Sequence, residues 1–548
     1  MSASEQSSPE KTLRWGMVVD LNRCVGCQTC TIACKHSNDT VPGVQWRRVL
    51  DIETGTFPDV ERVFMVTGCQ HCAEPPCVPV CPTGATQQRA DGLVTMNYDV
   101  CIGCAYCAVS CPYQARTIVH DERWYYGVET KQEKAVAHPE RLGVAQKCTF
   151  CVEKVDEAKE RGLTPGVDLD VTPACSASCI AQAITFGDFN NAASNVSQLV
   201  ADNKSFQMHA ELGTDPQIKY LYEAPATPGR DIGVDENDDE RMADPSNPLV
   251  GKLQTFWDWR AAMNWCFGGM AGGLIFAAWA AATVGLIDPT RLTRFYLLGA
   301  GLMSIGLFCV FLKIGRQQRF WRAFSRPNTS WMSRELYIVV VLFGALAAQL
   351  IRPHPIIETH IAFAAIGFVY CQAQILHAAK GIPAWRAPLI PAMILASGLF
   401  EGVGAIALLT GFAAVKPSLM IAGAGLLLTI VNAALFHTYR TMAKQDGIPP
   451  LARRALDDLA PIVHSTGHIL PALLFFVALV APIDPAILLP IAGISVLIGG
   501  FWWKFAIVTQ ASYQQGFALP SAPQRGSGKR AAPARMAGMP ARVLRRRP

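Results

Sequence analysis

Residues 101–112 read CIGCAYCAVSCP. Four thiols, Cys101, Cys104, Cys107 and Cys111, fall within eleven residues, and the run ends on proline. The gaps are C-x2-C-x2-C-x3-C. This is the bacterial ferredoxin spacing, in which three thiolates hold one cubane and the fourth ligates the other cluster of a pair. Two-residue gaps let a tight loop wrap three thiolates around a cube corner. The fourth cysteine, at the start of a helix, is expected to point away to the neighbouring cube.

Three more groups follow the same logic. Cys24, Cys27, Cys30 and Cys34 repeat the spacing in CVGCQTCTIAC. Cys69, Cys72, Cys77 and Cys81 stand in CQHCAEPPCVPVCP. Cys148 and Cys151 are separated from Cys175 and Cys179 by a 23-residue insertion. Sixteen of the 19 cysteines fall in these four groups, and four 4Fe–4S clusters use all sixteen. Zinc sites come as separated two-ligand knuckles, and three cysteines within seven residues fit them poorly. A disulfide framework belongs to short secreted chains. The N-terminal stretch MSASEQSSPEKTLRWG has neither an apolar h-region nor a twin-arginine pair, so the thiols are expected to be made and kept in the cytosol. No C-x-x-C is followed by histidine, so no c-type haem is expected.

The exchange of fourth ligands sets the pairing. The second and third groups are close in sequence and form one unit. Cys69, Cys72 and Cys77 take Cys111, while Cys101, Cys104 and Cys107 take Cys81. The first and fourth groups then pair over long range. Cys24, Cys27 and Cys30 take Cys179, and Cys148, Cys151 and Cys175 take Cys34.

From about residue 264 the 548-residue chain changes character. Eight stretches, roughly 264–287, 295–312, 333–351, 356–379, 388–412, 417–439, 461–481 and 486–508, are apolar enough to span a bilayer. Buried soluble helices would show polar faces and caps, which these mostly do not. Lys and Arg then give an orientation. The loops 313–334, 380–387 and 440–460 hold twelve basic residues, and the opposite loops hold four. With eight spans both termini share the basic side, so the cysteine-rich half and both termini are expected in the cytoplasm. The multi-pass chain is expected in the inner (cytoplasmic) membrane.

The cysteine half resembles the four-cluster electron-transfer subunits of the dimethyl sulfoxide reductase family of molybdoenzymes. The resemblance covers about residues 13–190 and is carried by CQHCAEPPCVPVCPTGA, DGLVTMNYDVCIGCAYCAVSCPYQAR and KCTFCVEKV. It implies the same cluster pairing. One departure from the family pattern can be read, and a second known one is absent. CSASCIAQAITFGD lacks the usual proline after the last cysteine, and proline is no ligand. Cys77 is present, so the three-iron variant is not implied. The apolar half resembles the membrane-anchor subunits of the same enzymes, through KIGRQQRFWRAF, SWMSRE (330–335) and GIPAWRAP (381–388). That resemblance implies a quinol site at Glu335, with Lys313 standing where the family has a histidine.

Quinone chemistry moves two protons with two electrons and needs an acid or base beside the ring. Glu335 fits that role; its alternative is a plain ion pair with Arg334 or Arg322. Glu401 lies mid-span, where an ionisable group is costly, so it serves a proton path or bonds a neighbouring helix. His464 and His468 share one helix face, which suits interfacial hydrogen bonding better than haem ligation, and no haem b is expected. Cys266, Cys309 and Cys371 are read as apolar packing residues.

The organisation expected is therefore a disordered segment over 1–12 and an α+β ferredoxin-like domain over 13–190. A linker over 191–260, an all-α eight-helix membrane anchor over 261–510 and a basic disordered tail over 511–548 follow. Within the linker, GRDIGVDENDDERMADPSNP reads as a solvated acidic loop, and FWDWR (256–260) as an aromatic belt at the membrane surface. No Walker loop, GxGxxG or Ser–His–Asp arrangement is present, the net charge of +5 is modest, and no nucleic-acid partner is expected. The reading is an electron wire fused to its quinone-reactive anchor, serving a separate molybdopterin catalytic subunit. Topology favours the sulfite:quinone oxidoreductase type. The runner-up is quinol oxidation feeding a reductase of DMSO or another S- or N-oxide. A transporter with a redox-sensing domain is the reading from another class, and proton translocation in sealed vesicles would discriminate it.

Overall fold

A computed structural model describes residues 13–56, 59–222 and 241–519. The segments expected to be disordered, 1–12 and 520–548, and the acidic stretch 223–240 lie outside the described residues.

The cysteine half is organised on a four-stranded sheet with Trp15–Asp20 at its centre. This strand pairs in parallel with Ile218–Leu221 (Met17 opposite Ile218) and antiparallel with Ile184–Asp188 (Met17 opposite Phe186). Every residue of the central strand is buried, so it reads WGMVVD without alternation. The two faces meet different partners. Met17 and Val19 pack into a core that contains Cys30, Cys34, Cys148 and Cys175. Val18 packs on the other face against Val196 and Leu199 of the helix Asn195–Asp202.

That arrangement corrects the domain boundary expected at 190. The helix Asn195–Asp202 covers the sheet and Ile218–Leu221 completes it, so the folded unit runs to at least residue 222. The start of the expected tail is also folded. Gln114 Nε2 donates to the Gln515 carbonyl at 3.0 Å, and the Phe517 ring lies under Arg48.

Eight helices are long and apolar enough to cross a membrane: Trp259–Thr283, Pro289–Lys313, Trp331–Ile351, Pro355–His377, Ile390–Thr410, Leu419–Met442, Pro450–Val480 and Pro485–Thr509. The first four pack together, the last four pack together, and the first, fourth, fifth and eighth join the two groups. Gly273 on the first span and Gly398 and Gly402 on the fifth bring two backbones so close that a Cβ at any of them would meet the other chain segment or its neighbours. This is the small-residue route to helix contact in lipid. The expectation of missing caps fails at several N-termini. Asp258, Asp288, Ser418 and Asp484 each accept a backbone N–H at the start of a span. The seventh span starts eleven residues earlier than expected, because the amphipathic helix Pro450–Ile462 runs on through a π-helical turn, Val463–Ile469, without a break.

The two halves are locked together. Arg316 donates through its backbone N–H to Ile102 (3.0 Å) and through its guanidinium to Leu142 and Pro139 carbonyls (2.8 and 2.6 Å). Arg319 donates to Tyr98 (2.8 Å), and Arg322 to Asp99. Gly103, Gly143 and Gly315 meet backbone to backbone, and Gly103 and Gly143 do so at positive φ, where no side chain would fit. Three of the loop arginines thus hold the cysteine half onto the membrane half.

Candidate electron-transfer site

The thiol loops are shaped by left-handed residues at matching positions. Gly26 and Gln28 in CVGCQTC have φ of 69° and 63°, and Gly103 and Ala105 in CIGCAYC have φ of 72° and 67°. Each pair curls the loop before a helix begins, Thr29–Ser37 in one case and Tyr106–Val109 in the other. The spacing predicts the fourth cysteine at a helix start. Instead Cys34 lies in the later part of its helix and Cys111 just past the end of its own, because the left-handed turn starts the helix right after the second thiol.

The sixteen thiols gather into four neighbourhoods. Cys24 is within electrostatic reach of Cys179 and Cys27, and Cys30 of Cys175, Cys179 and Cys24. Cys34 is within reach of Cys148, Cys175 and Cys151. Cys72 is within reach of Cys69, Cys77 and Cys111. Cys81 is reached by Cys101, Cys104 and Cys107. Links between neighbourhoods put them in a file: Cys30 to Cys175, Cys148 to Cys69, and Cys107 to Cys77. Burial, then the charges of neighbouring thiolates, pushes Cys30 up to about 11. Burial likewise holds Cys148 and Cys107 up at about 12. Such thiols ionise only when a strong cation arrives.

Among the described residues no three His, Cys, Asp or Glu side chains converge tightly enough to chelate one ion. A tetrahedral zinc site would need sulfurs about 3.8 Å apart, from its ~2.3 Å bonds. A cubane gives each thiolate its own iron and accepts a wider quartet, so the donor set fits 4Fe–4S clusters.

The file has two unlike ends. At one, Cys27 is exposed and Cys24 and Cys179 are half-buried. Val25, Ile32 and Ile180 stand around them 59%, 62% and 69% exposed. Thr29 Oγ1 lies 3.3 Å from Cys27 Sγ and, with its backbone N–H, draws that thiol below the usual range.

At the other end, half-buried Cys104 lines an apolar cavity of about 380 Å³ between the halves. Glu335 and Lys313 line the same cavity, with Asn264, Trp257 and Trp265. Asn264 Nδ2 donates to Glu335 Oε1 at 3.2 Å, and neither Arg334 nor Arg322 pairs with the carboxylate. Asn264 Oδ1 is buried without a donor, an acceptor suited to a bound hydroxyl. The serines of SWMSRE hold the cluster loop: Ser330 Oγ donates to Val80 at 2.8 Å, beside Cys81, and Ser333 Oγ lies 3.4 Å from the Pro82 carbonyl.

Residues 60–126 match the family of 4Fe–4S dicluster domains. The chain is 38% identical to the B subunit of selenate reductase from Mesobacillus selenatarsenatis, over 39% of this chain and 73% of that one. It is 36% identical to the iron–sulfur cluster-binding subunit of menaquinone reductase from Nitratidesulfovibrio vulgaris, over 39% and 91%. It is 38% identical to the B subunit of sulfite dehydrogenase from Allochromatium vinosum, over 37% and 81%. The chain belongs to the iron–sulfur electron-transfer subunit family of molybdoenzymes. The matches fall on about the first 230 residues, and this iron–sulfur subunit carries eight apolar helices on the same polypeptide.

One residue of this iron–sulfur subunit departs from the sequence reading. Trp257 of FWDWR is buried, not part of a lipid-facing belt. Its Nε1 donates to the Cys104 carbonyl at 3.0 Å and its ring stacks on Trp385 at 5.4 Å. Glu401 does bond a neighbouring helix: it forms a fully buried ion pair with Lys504 of the eighth span. Sequence reasoning misses Lys504, although a charge inside an apolar span is itself a signal. His464 and His468 contact each other at 3.2 Å between their Nδ1 atoms. His468, with Asn432 and Ser397, lines a cavity of about 20 Å³ that Gly500 shares, and Gly500 abuts Glu401.

Proposed function

We propose that the sixteen thiols hold four 4Fe–4S clusters, in the pairing set out from the sequence, and that the chain carries electrons between a molybdopterin catalytic subunit and the quinone pool. The observation that supports this is the file itself, with one end open at the surface around Cys27 and the other lining the Glu335 cavity at Cys104. When bound, the clusters supply one-electron transfer. The chain's own residues supply the rest. The exposed apolar rim of Val25, Ile32 and Ile180 suits a partner subunit that must bring its own redox centre close. The cavity volume lies in the usual range for small-molecule sites and its wall is mostly apolar, as a quinone ring requires. Glu335 takes or gives the ring proton, Lys313 places a cation at a ring oxygen, and Asn264 holds the carboxylate.

Glu401 is proposed as part of a proton path. Its pair with Lys504, the one-water cavity at His468 and the His464 contact form a polar thread from the basic-loop side. Lys504 Nζ reaches the Cys266 carbonyl at 3.4 Å, on the helix that carries Asn264.

The excess of Lys and Arg in the loops on the cluster side supports a cytoplasmic cluster half, and that topology favours a sulfite:quinone oxidoreductase. Reverse traffic, from quinol to an S- or N-oxide reductase, is the second reading, because the matched relatives include both reductases and a dehydrogenase. EPR on native membranes holding the complex separates them. Sulfite added to an oxidised sample should raise reduced-cluster signals. If only DMSO or another oxide bleaches signals that quinol has raised, the sulfite reading fails. Protease added to right-side-out cells should leave the cluster half intact; digestion would overturn the cytoplasmic placement.

A further inference from the structure

Two arginines of the cluster half are buried and, among the described residues, have no carboxylate partner. Arg47 is 0% exposed, and among the described residues no salt bridge reaches it. Its Nη2 rests on Met17 Sδ at 3.2 Å, while Nε and Nη1 have no acceptor. Arg116 repeats the arrangement. It is 4% exposed, its Nη1 rests on Met96 Sδ at 3.0 Å and Thr86 Oγ1 at 3.2 Å, and its Nη2 has no acceptor. An unpaired buried charge is among the most destabilising features a fold can carry, and natural interiors match it with an opposite charge.

The neighbours of these two side chains are thiols. Arg47 lies within electrostatic reach of Cys175, Cys148, Cys34 and Cys30, which belong to the first two quartets of the file. Arg116 lies within reach of Cys107, Cys77, Cys69 and Cys111, which belong to the last two. Lys147, also fully buried, differs: its Nζ is spent on the Cys148 carbonyl at 2.7 Å and on that of Val94. Arg48, next in sequence to Arg47, donates to the Gln114 carbonyl and leans on Phe517. Only Arg47 and Arg116, among the described residues, combine full enclosure, idle N–H groups and a place between two quartets.

We propose that Arg47 and Arg116 are positioning residues of the electron path, each the buried countercharge shared by two adjacent clusters and each raising the reduction potentials of both. The inference rests on the four-cluster reading. A cluster with four thiolates is net negative, and an added electron makes it more so. A fixed cation in a low-dielectric interior favours the reduced form, and it weakens the repulsion between neighbouring clusters that fill together. One arginine per pair keeps the four potentials close enough for traffic along the file.

The test is a potentiometric EPR titration of membranes containing the full complex, with iron counted per chain. Arg116→Gln should leave the iron count unchanged and lower two of the four midpoints, each by at least tenfold in reduction equilibrium, which is 59 mV for one electron. Arg47→Gln should do the same to the other two. Midpoints that move less than threefold at full iron content overturn the proposal. Should a glutamine variant assemble without iron, the lysine variant decides. Arg116→Lys with full iron and midpoints within threefold of wild type supports the countercharge. Loss of iron in the lysine variant too overturns it, because the site then needs the shape of arginine and not its charge. Wild-type membranes with fewer than four clusters would instead refute the four-cluster reading itself.

Discussion

The two halves of this chain bury charge in opposite ways. The membrane half holds a cation and an anion at 0% exposure, Lys504 and Glu401, and joins them to each other. Gly269 and Gly500 make room for the pair, since a Cβ at either would meet it. The cluster half encloses Arg47, Arg116 and Lys147 and gives none of them a carboxylate among the described residues. On the proposed reading its balancing anions are thiols that burial keeps protonated until a metal arrives. The membrane pair is electrostatically complete as a polypeptide, whereas the cluster half is built around charge it does not itself contain.

Four substitutions test that contrast, taken in order of falling magnitude. Cys104→Ser removes the thiol that lines the cavity. It should cost one cluster's iron and abolish quinone-linked turnover while the cluster signals nearest Cys27 survive, as iron counting and EPR will read. Lys504→Met leaves Glu401 buried and alone, and should cost about 3–5 kcal/mol. Adding Glu401→Gln should return most of that loss, measured as thermal unfolding in detergent. No comparable rescue by a carboxylate change exists for Arg47. Arg316→Ala removes two guanidinium donors to the cluster half and should cost about 2–3 kcal/mol in the thermal separation of the halves, with proteolysis at the junction as the readout. Thr29→Val deletes the hydroxyl beside exposed Cys27 and should lower only the potential of the surface cluster, by less than tenfold in a redox titration.

What can be read from the sequence follows from how local each signal is. Thiol spacing is local, so CIGCAYCAVSCP and its counterparts announce their loops, and the exchange rule says which groups stand together. Span length is local too, and all eight apolar stretches are helices. The strand Ile218–Leu221 hides in an expected linker because four residues, IKYL, carry no pattern; only pairing with Trp15–Asp20, two hundred residues away, makes them a strand. FWDWR misleads because an aromatic run at a span's start looks alike whether it faces lipid or the floor of a cluster loop. Asn264 and Lys504 are polar residues inside apolar spans, and the rule that singles out Glu401 can find them too. It cannot find Arg47 and Arg116, because arginine in a strand or loop is ordinarily at the surface. The motif SWMSRE is legible as a unit, but its division of labour is not: its serines meet the loop on either side of Cys81, and only Glu335 of its polar residues reaches the cavity.

A quinone bound between Cys104 and Glu335 is the proposed end of the file. The direct test is the rate at which quinol reduces the clusters in anaerobic, sealed membranes, comparing wild type with Glu335→Gln and using dithionite as the chemical control. Loss of a positioned acid–base group slows proton-coupled transfer by about 10²–10⁴-fold. Quinol-driven reduction should fall by at least about a hundredfold with dithionite reduction unchanged. Quinol reduction of Glu335→Gln at the wild-type rate would contradict it.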